Sequence, residues 1–260
     1  MRILLTNDDG INAPGLVAME HIARRLSDDI WIVAPSEEQS GAGHSLTLTR
    51  PVRIRQHGER RFSVTGTPTD SVMLALGKIM VDAKPDLILS GVNRGANMAE
   101  DVTYSGTVSA AMEGTLAGVK SIALSQAYSR EGVGDNVSFA CAEHWGERTL
   151  RSLLAADMPP NTLLNINFPA VPPEAVLGTR VVAQGFRDYS RLQIVTNTDP
   201  RGYDYHWFLL GRARETPAHA TDLEAISDGY IAVTPLTLDL THRESLSVLA
   251  RCFDADSSTG

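Results

Sequence analysis

The sequence predicts a three-layer α/β fold, with a mostly parallel sheet flanked by helices. Three observations predict it. The apolar stretches of the first half are short and continuous rather than alternating, as in strands covered on both faces. Each gives way to a glycine-bearing loop and then a helix-spaced segment, and this unit recurs three times. The chain has 260 residues, of which 43% are hydrophobic, enough to bury a substantial core without disulfides.

The elements follow in order. Ile3 to Leu5 reads as a strand feeding the turn Asn7-Asp8-Asp9-Gly10. Pro14 and Gly15 open a helix whose apolar positions are Leu16, Val17, Met19, Ile22, Ala23 and Leu26. Ile30 to Ala34 is a strand stopped by Pro35. Leu46-Thr47-Leu48 and Val52 to Arg55 suggest an inserted hairpin or edge ribbon, with Phe62-Ser63-Val64 as a third strand. Thr69 to Met80 is helical, with Thr69 or Asp70 as its cap. Asp86 to Leu89 is a strand ended by Ser90-Gly91. Thr107 to Leu116 is a helix of small residues, and Ser121 to Leu124 a strand. Leu150 to Ala155 closes a further helix, and Leu163 to Phe168 is a strand. From Val181 the chain reads as strands and long loops, including Tyr205 to Leu210 and Tyr230 to Val233, with a short helix at Leu223 to Ile226. Asp254 to Gly260 reads as a frayed polar tail. Right-handed crossovers place the loops after the first three parallel strands at one end of the sheet, where such folds bind ligands.

Composition narrows the function. There are 31 Asp and Glu against 23 Lys and Arg, a formal charge of -8, which counts against a broad nucleic-acid surface. Two cysteines, Cys141 and Cys252, make neither a disulfide framework nor a cysteine-rich metal site. Met1 to Thr6 is too short for the apolar region of a signal peptide, and no stretch suits a membrane span. A cytoplasmic location is expected.

Four loops carry candidate chemistry. The adjacent carboxylates of Asp8 and Asp9 repel, and a hard divalent cation relieves that repulsion. An Asp-Gly turn that caps nearby backbone is the plain alternative. Pro35 to Ser45 offers the Ser40 hydroxyl as a metal ligand and His44 for a phosphate contact or a proton, or it is a solvent loop. In Ser90 to Asn97, Asn93 has a carbonyl oxygen for a cation and Asn97 an N–H for an anion. Asn and Gly also suit left-handed turns. Tyr104-Ser105-Gly106-Thr107 opens a helix whose free N–H groups form an anion cradle, beyond the cap that one hydroxyl would supply. No Walker loop, dinucleotide glycine signature or nucleophile elbow is present, and His206, His219 and His242 have no metal-ligand spacing.

Taken in order, these motifs closely resemble the SurE survival-protein family of divalent-metal-dependent nucleoside monophosphate phosphatases. Gly66-Thr67-Pro68-Thr69-Asp70 and the segment Gly229-Tyr230-Ile231 to Thr234-Pro235-Leu236 with Asp239 match as well. Ala220, before Thr221-Asp222, departs from the glycine usual there. The resemblance implies one domain over residues 1–260, with a Rossmann-like core and a β-rich oligomerisation arm at about 181–245. It implies one Mg²⁺ or Mn²⁺ on Asp8, Asp9, Ser40 and Asn93. Phosphate contacts would come from Asn97, Ser105, Gly106 and Thr107, with His44 beside them. Asp8, Asp9 and Asn97 would serve catalysis by water attack, without a covalent intermediate. The substrate would be a nucleoside 5′-monophosphate, with 3′-nucleotides and short polyphosphate in some members. A homodimer or homotetramer is implied. A broader phosphomonoesterase or a non-catalytic nucleotide-binding or assembly protein are the alternatives.

Overall fold

A computed structural model describes residues 1–128, 137–186, 193–209 and 220–254. The sequence-predicted strand end at Leu210, His219 and the tail from residue 255 lie outside them. Nine strands form one sheet in the order β3-β4-β2-β1-β5-β6-β7-β11-β8. Its centre is β1 (Ile3–Thr6), between β2 (Ile30–Pro35) and β5 (Leu87–Arg94). Parallel pairing runs without a break from β4 (Arg61–Val64) through β6 (Lys120–Gln126) to β7 (Thr162–Phe168). At the far edge β11 (Ile231–Thr237) returns antiparallel to β7 and pairs in parallel with β8 (Thr179–Val181). The other edge is β3 (Ile54–Gly58), antiparallel to β4.

Alternation along β1 sorts the two cores. Ile3 and Leu5 point to the face covered by α1 (Pro14–Arg24) and α4 (Ala140–Leu154), where Leu16, Met19, Ile22 and Leu150 are fully buried. Leu4 points to the other face, with Val72 of α2 (Pro68–Leu74) and Ala110 of α3 (Gly106–Leu116). The continuous apolar runs are therefore strands buried on both sides, as the sequence predicts.

Several boundaries differ from the sequence expectation. Leu46 to Leu48 is not a strand: Thr47 is held by its bonds to Asp70 instead, and the hairpin is formed by β3 and β4. The cap of α2 is Thr67, not Thr69 or Asp70. Thr67 Oγ1 accepts the Asp70 N–H at 3.1 Å and Asp70 Oδ2 accepts the Thr67 N–H at 2.8 Å, a reciprocal capping box. That helix passes at Ala75–Ile79 into a wider π turn. The strand expected to end at Ser90-Gly91 continues to Arg94 through a register shift between Ser90 and Asn93. A hairpin of β9 (Gln193–Thr198) and β10 (Asp204–Leu209) forms its own two-stranded sheet, and α5 (Asp222–Ser227) lies where a short helix is predicted. The sequence reading missed α6 (Arg243–Asp254), although Leu246, Leu249, Ala250 and Phe253 repeat at helical spacing. No helix among the described residues is long and apolar enough to cross a membrane.

One glycine is decisive for the site. Gly91 has φ +130, and a Cβ on it would stand 2.1 Å from the Leu124 carbonyl oxygen of β6. Gly91→Ala is therefore expected to lower stability by at least ~3 kcal/mol, read as a shift in urea midpoint at unchanged slope.

Candidate active site

The chain leaves β1 toward β2 on one side and later returns to place β5 on the other. The crevice at the carboxyl ends of β1 and β5 is therefore a topological switch point, the usual ligand position in open α/β sheets. The Asn7-to-Gly10 turn fills that crevice and closes on itself. Asn7 Nδ2 donates to the Gly10 carbonyl at 2.9 Å, and the Gly10 N–H donates to Asn7 Oδ1 at 3.2 Å. The Gln39 N–H donates to the Asp8 carbonyl at 2.8 Å, which docks the loop after β2 onto the turn.

The two adjacent carboxylates then diverge. Asp8 is buried and faces the start of α3, where the Thr107 hydroxyl donates to Asp8 Oδ1 at 2.5 Å. The Thr107 N–H serves the same carboxylate. Gly106 is required there, because a Cβ would stand 2.8 Å from Asp8 Cβ and 3.0 Å from Pro68 Cγ. Asp9 is half-buried and turns the other way, with Oδ2 accepting the Arg94 N–H at 3.2 Å. Burial pushes the Asp8 carboxyl up to about 6; the Thr107 bonds oppose the rise and the Asp9 charge adds to it. Burial also raises Asp9, against the pull of the Arg94 N–H and charge, with Glu38 pushing it higher. A buried pair of this kind is costly as two bare anions.

The remaining predicted residues surround this pair unequally. Asn93 Nδ2 donates to the Gly95 carbonyl at 2.8 Å, which directs its amide oxygen to other partners. Ser40 is exposed one residue beyond Gln39, with its hydroxyl donating to Glu38 Oε1 at 2.8 Å. Ser105 is the N-cap of α3 and accepts the Val108 N–H at 3.1 Å. With the Val108 N–H on the Ser105 hydroxyl, the Ser105 N–H on the Asp101 carbonyl and Thr107 turned to Asp8, the Gly106 N–H is the donor this helix start could turn to an anion. His44 is set apart: its Nε2 lies 3.1 Å from Glu113 Oε2, on the outer part of α3.

Asn97 is held from three directions. Its N–H donates to Asn167 Oδ1 at 2.8 Å, and its carbonyl accepts from Asn165 Nδ2 at 2.8 Å and Asn167 Nδ2 at 3.0 Å. One of its own amide hydrogens goes to Ser125 Oγ at 2.9 Å. Two residues on, the Ala99 N–H donates to Asp222 Oδ2 at 2.9 Å and its carbonyl accepts from Gln184 Nε2 at 2.8 Å. Sequence reasoning passed over this support. Its signal was present, since Asn165 and Asn167 sit two apart in an apolar strand and so share one buried face.

Oxygen donors of the kinds found here suit a hard divalent cation: two carboxylates that burial makes reluctant anions, with Ser40 next in the chain to Gln39 on the Asp8 backbone and Asn93 next to Arg94 on Asp9. Among the described residues no group of three or more His, Cys, Asp or Glu could hold a metal, so a cation in this crevice would depend on those neutral oxygens as well.

Fold and site together define a doubly wound α/β protein with an acidic turn set against a helix start at the switch point. The family model described as Survival protein SurE matches residues 3–191. This chain belongs to that family. It is 65% identical over 247 residues to a protein of Rhizorhabdus wittichii named 5′-nucleotidase SurE, covering 95% of this chain and 97% of that one. A protein of the same name from Erythrobacter litoralis is 60% identical, with 98% of this chain and all of that one covered. A crystal structure of the Sure protein from Aquifex aeolicus aligns with a TM-score of 0.82 at 36% identity, over 97% of this chain and 99% of that chain.

Asp70 fastens the loop that carries His44 to the core. It accepts the Thr47 N–H at 3.0 Å, the Thr47 hydroxyl at 2.6 Å and the Thr67 N–H. Burial alone would raise its pKa, but these bonds outweigh it and hold the carboxyl below the usual range. A depressed folded pKa contributes stability that is present above the unfolded value and lost as pH falls through the folded one. Asp70→Asn should therefore unfold at lower urea than the parent at pH 7, by about 1–3 kcal/mol. The gap should close below about pH 4, which a pH series of urea midpoints checks.

Proposed function

We propose that this chain is a divalent-cation-dependent 5′-nucleotidase that hydrolyses nucleoside monophosphates to nucleoside and phosphate, with 3′-nucleotides as further substrates. The observation that carries this reading is identity of 65% across nearly the whole chain to a protein named 5′-nucleotidase SurE. The switch-point geometry supports it.

Asp8, Asp9, Ser40 and Asn93 would hold one Mg²⁺ or Mn²⁺. Such an ion supplies Lewis-acid stabilisation of charge on the phosphoryl oxygens. The residues do the rest. Asn97, fixed by Asn165 and Asn167, offers its second amide hydrogen to a phosphate oxygen. At the α3 start the Gly106 N–H would take a further oxygen, since the Ser105 N–H donates to the Asp101 carbonyl and the Thr107 N–H serves Asp8. His44 follows Gly43, whose N–H donates to the Tyr104 carbonyl at 3.0 Å, and would contact the phosphate only after leaving Glu113. Asp9, half-buried where Asp8 is almost fully buried, would be the more accessible of the two acids to receive a proton from the attacking water.

A homodimer or homotetramer in the cytoplasm belongs to the same proposal. The β9–β10 hairpin exposes Ile194, Trp207 and Phe208, and α6 exposes Leu246, Leu249 and Phe253, faces that a second copy of the chain would cover.

The reading is tested by phosphate release from 5′-nucleotides, 3′-nucleotides, simple esters and polyphosphate, with and without EDTA. Nucleoside monophosphates should be turned over fastest, and EDTA should abolish release. Asp8→Asn with Asp9→Asn should lower kcat by at least about a thousandfold, since it removes the charge expected to hold the ion. Equal turnover of all esters would favour a broad phosphomonoesterase. Nucleotide binding without release would make the chain a binding protein.

A further inference from the structure

A pocket of ≈ 310 Å³ opens beside Asp9, on the face of the sheet opposite α3. One wall is apolar, formed by Pro14 at the start of α1 with Val137 and Phe139 just before α4. The Phe139 ring packs over Gly15, where a Cβ would come within 3.1 Å of two ring carbons. The opposite rim is polar: Arg94 reaches Glu38 at 3.4 Å. The volume lies at the lower end of the range of small-molecule sites, and an apolar wall with a few polar groups is their usual lining.

The divergence of the two acids gives this pocket its meaning. Asp8 faces the helix start that would receive the phosphate, while Asp9 lines the pocket on the other side. Seen from the α3 start, Asp9 and this pocket therefore lie on the opposite side, toward the start of α1. Resting on the proposed nucleotidase reading, we infer that this pocket holds the nucleoside of the substrate, with its base against Phe139 and Pro14 and its polar edge toward Arg94 and Glu38. A flat aromatic face recognises any base by stacking, so the pocket would favour nucleosides as a class over small alkyl groups.

The test compares Phe139→Ala, which removes the wall, with Ala13→Phe, which fills the pocket from the start of α1. Three quantities are measured with metal present: KM for adenosine 5′-monophosphate, the inhibition constant of inorganic phosphate, and adenosine binding by calorimetry. Both variants should raise the nucleotide KM about tenfold and weaken adenosine binding by a similar factor. The phosphate constant should stay within about twofold, because phosphate would use the cation, Asn97 and the α3 start but not the pocket wall. That unchanged constant also shows that each variant has folded. Phe139→Leu, which keeps bulk but loses the flat face, should fall between parent and alanine variant. An equal loss for nucleotide and phosphate, or unchanged adenosine binding in all variants, would overturn the pocket assignment while nucleotidase activity stood. A parent enzyme inert toward nucleotides would instead overturn the reading beneath it.

Discussion

The docking of the α3 start onto the Asp8 carboxylate is the contact on which the rest of the site depends. Thr107 gives it a hydroxyl and an N–H, and Gly106 lets the helix approach to a distance no side chain would permit. This fixes where the end of β1 lies relative to the start of α3. It also leaves Asp8 almost without water, so its partial hydrogen bonding does not repay its burial. The loops after β2 and β5 are built against the same point, through Gln39 on the Asp8 backbone and Arg94 on Asp9.

Support for the site comes from unexpectedly far along the chain. Asn165 and Asn167 on β7, with Asp222 and Gln184 beyond it, hold the backbone of Asn97 and Ala99. The C-terminal half thus does more than close the sheet: it positions the loop that carries Asn97. Buried amides bonded in this way resist rearrangement, since breaking one bond strands a partner without water.

The first half of the fold was legible in the residues because its strands are buried on both faces and bounded by Gly, Pro and Asp. The acidic turn, the Asn93 to Asn97 loop and the Ser105 cap were legible for the same reason: each falls where a strand or loop must give way to the next element. What was not legible depends on distance. Nothing local in Thr47 shows that it bonds Asp70 rather than pairing in a strand. Nor does the Thr107 hydroxyl announce that it serves Asp8, 99 residues earlier in the chain. The helix of α6 was visible in its spacing, although its apolar residues Leu246, Leu249 and Phe253 stay exposed among the described residues.

As bare anions the two carboxylates are a liability that the cation proposed above would relieve. Asp8 carries a folded pKa of about 6, above its ordinary value of 3.8, so the bare protein should gain stability as pH falls between those values. The direct measurement is thermal unfolding of the parent and Asp8→Asn at pH 7, in EDTA and in Mg²⁺ or Mn²⁺. In EDTA the variant should melt higher, by an amount on the order of 3 kcal/mol, and added metal should raise the parent but not the variant. A variant that melts lower in EDTA, with the same metal response as the parent, would contradict the account.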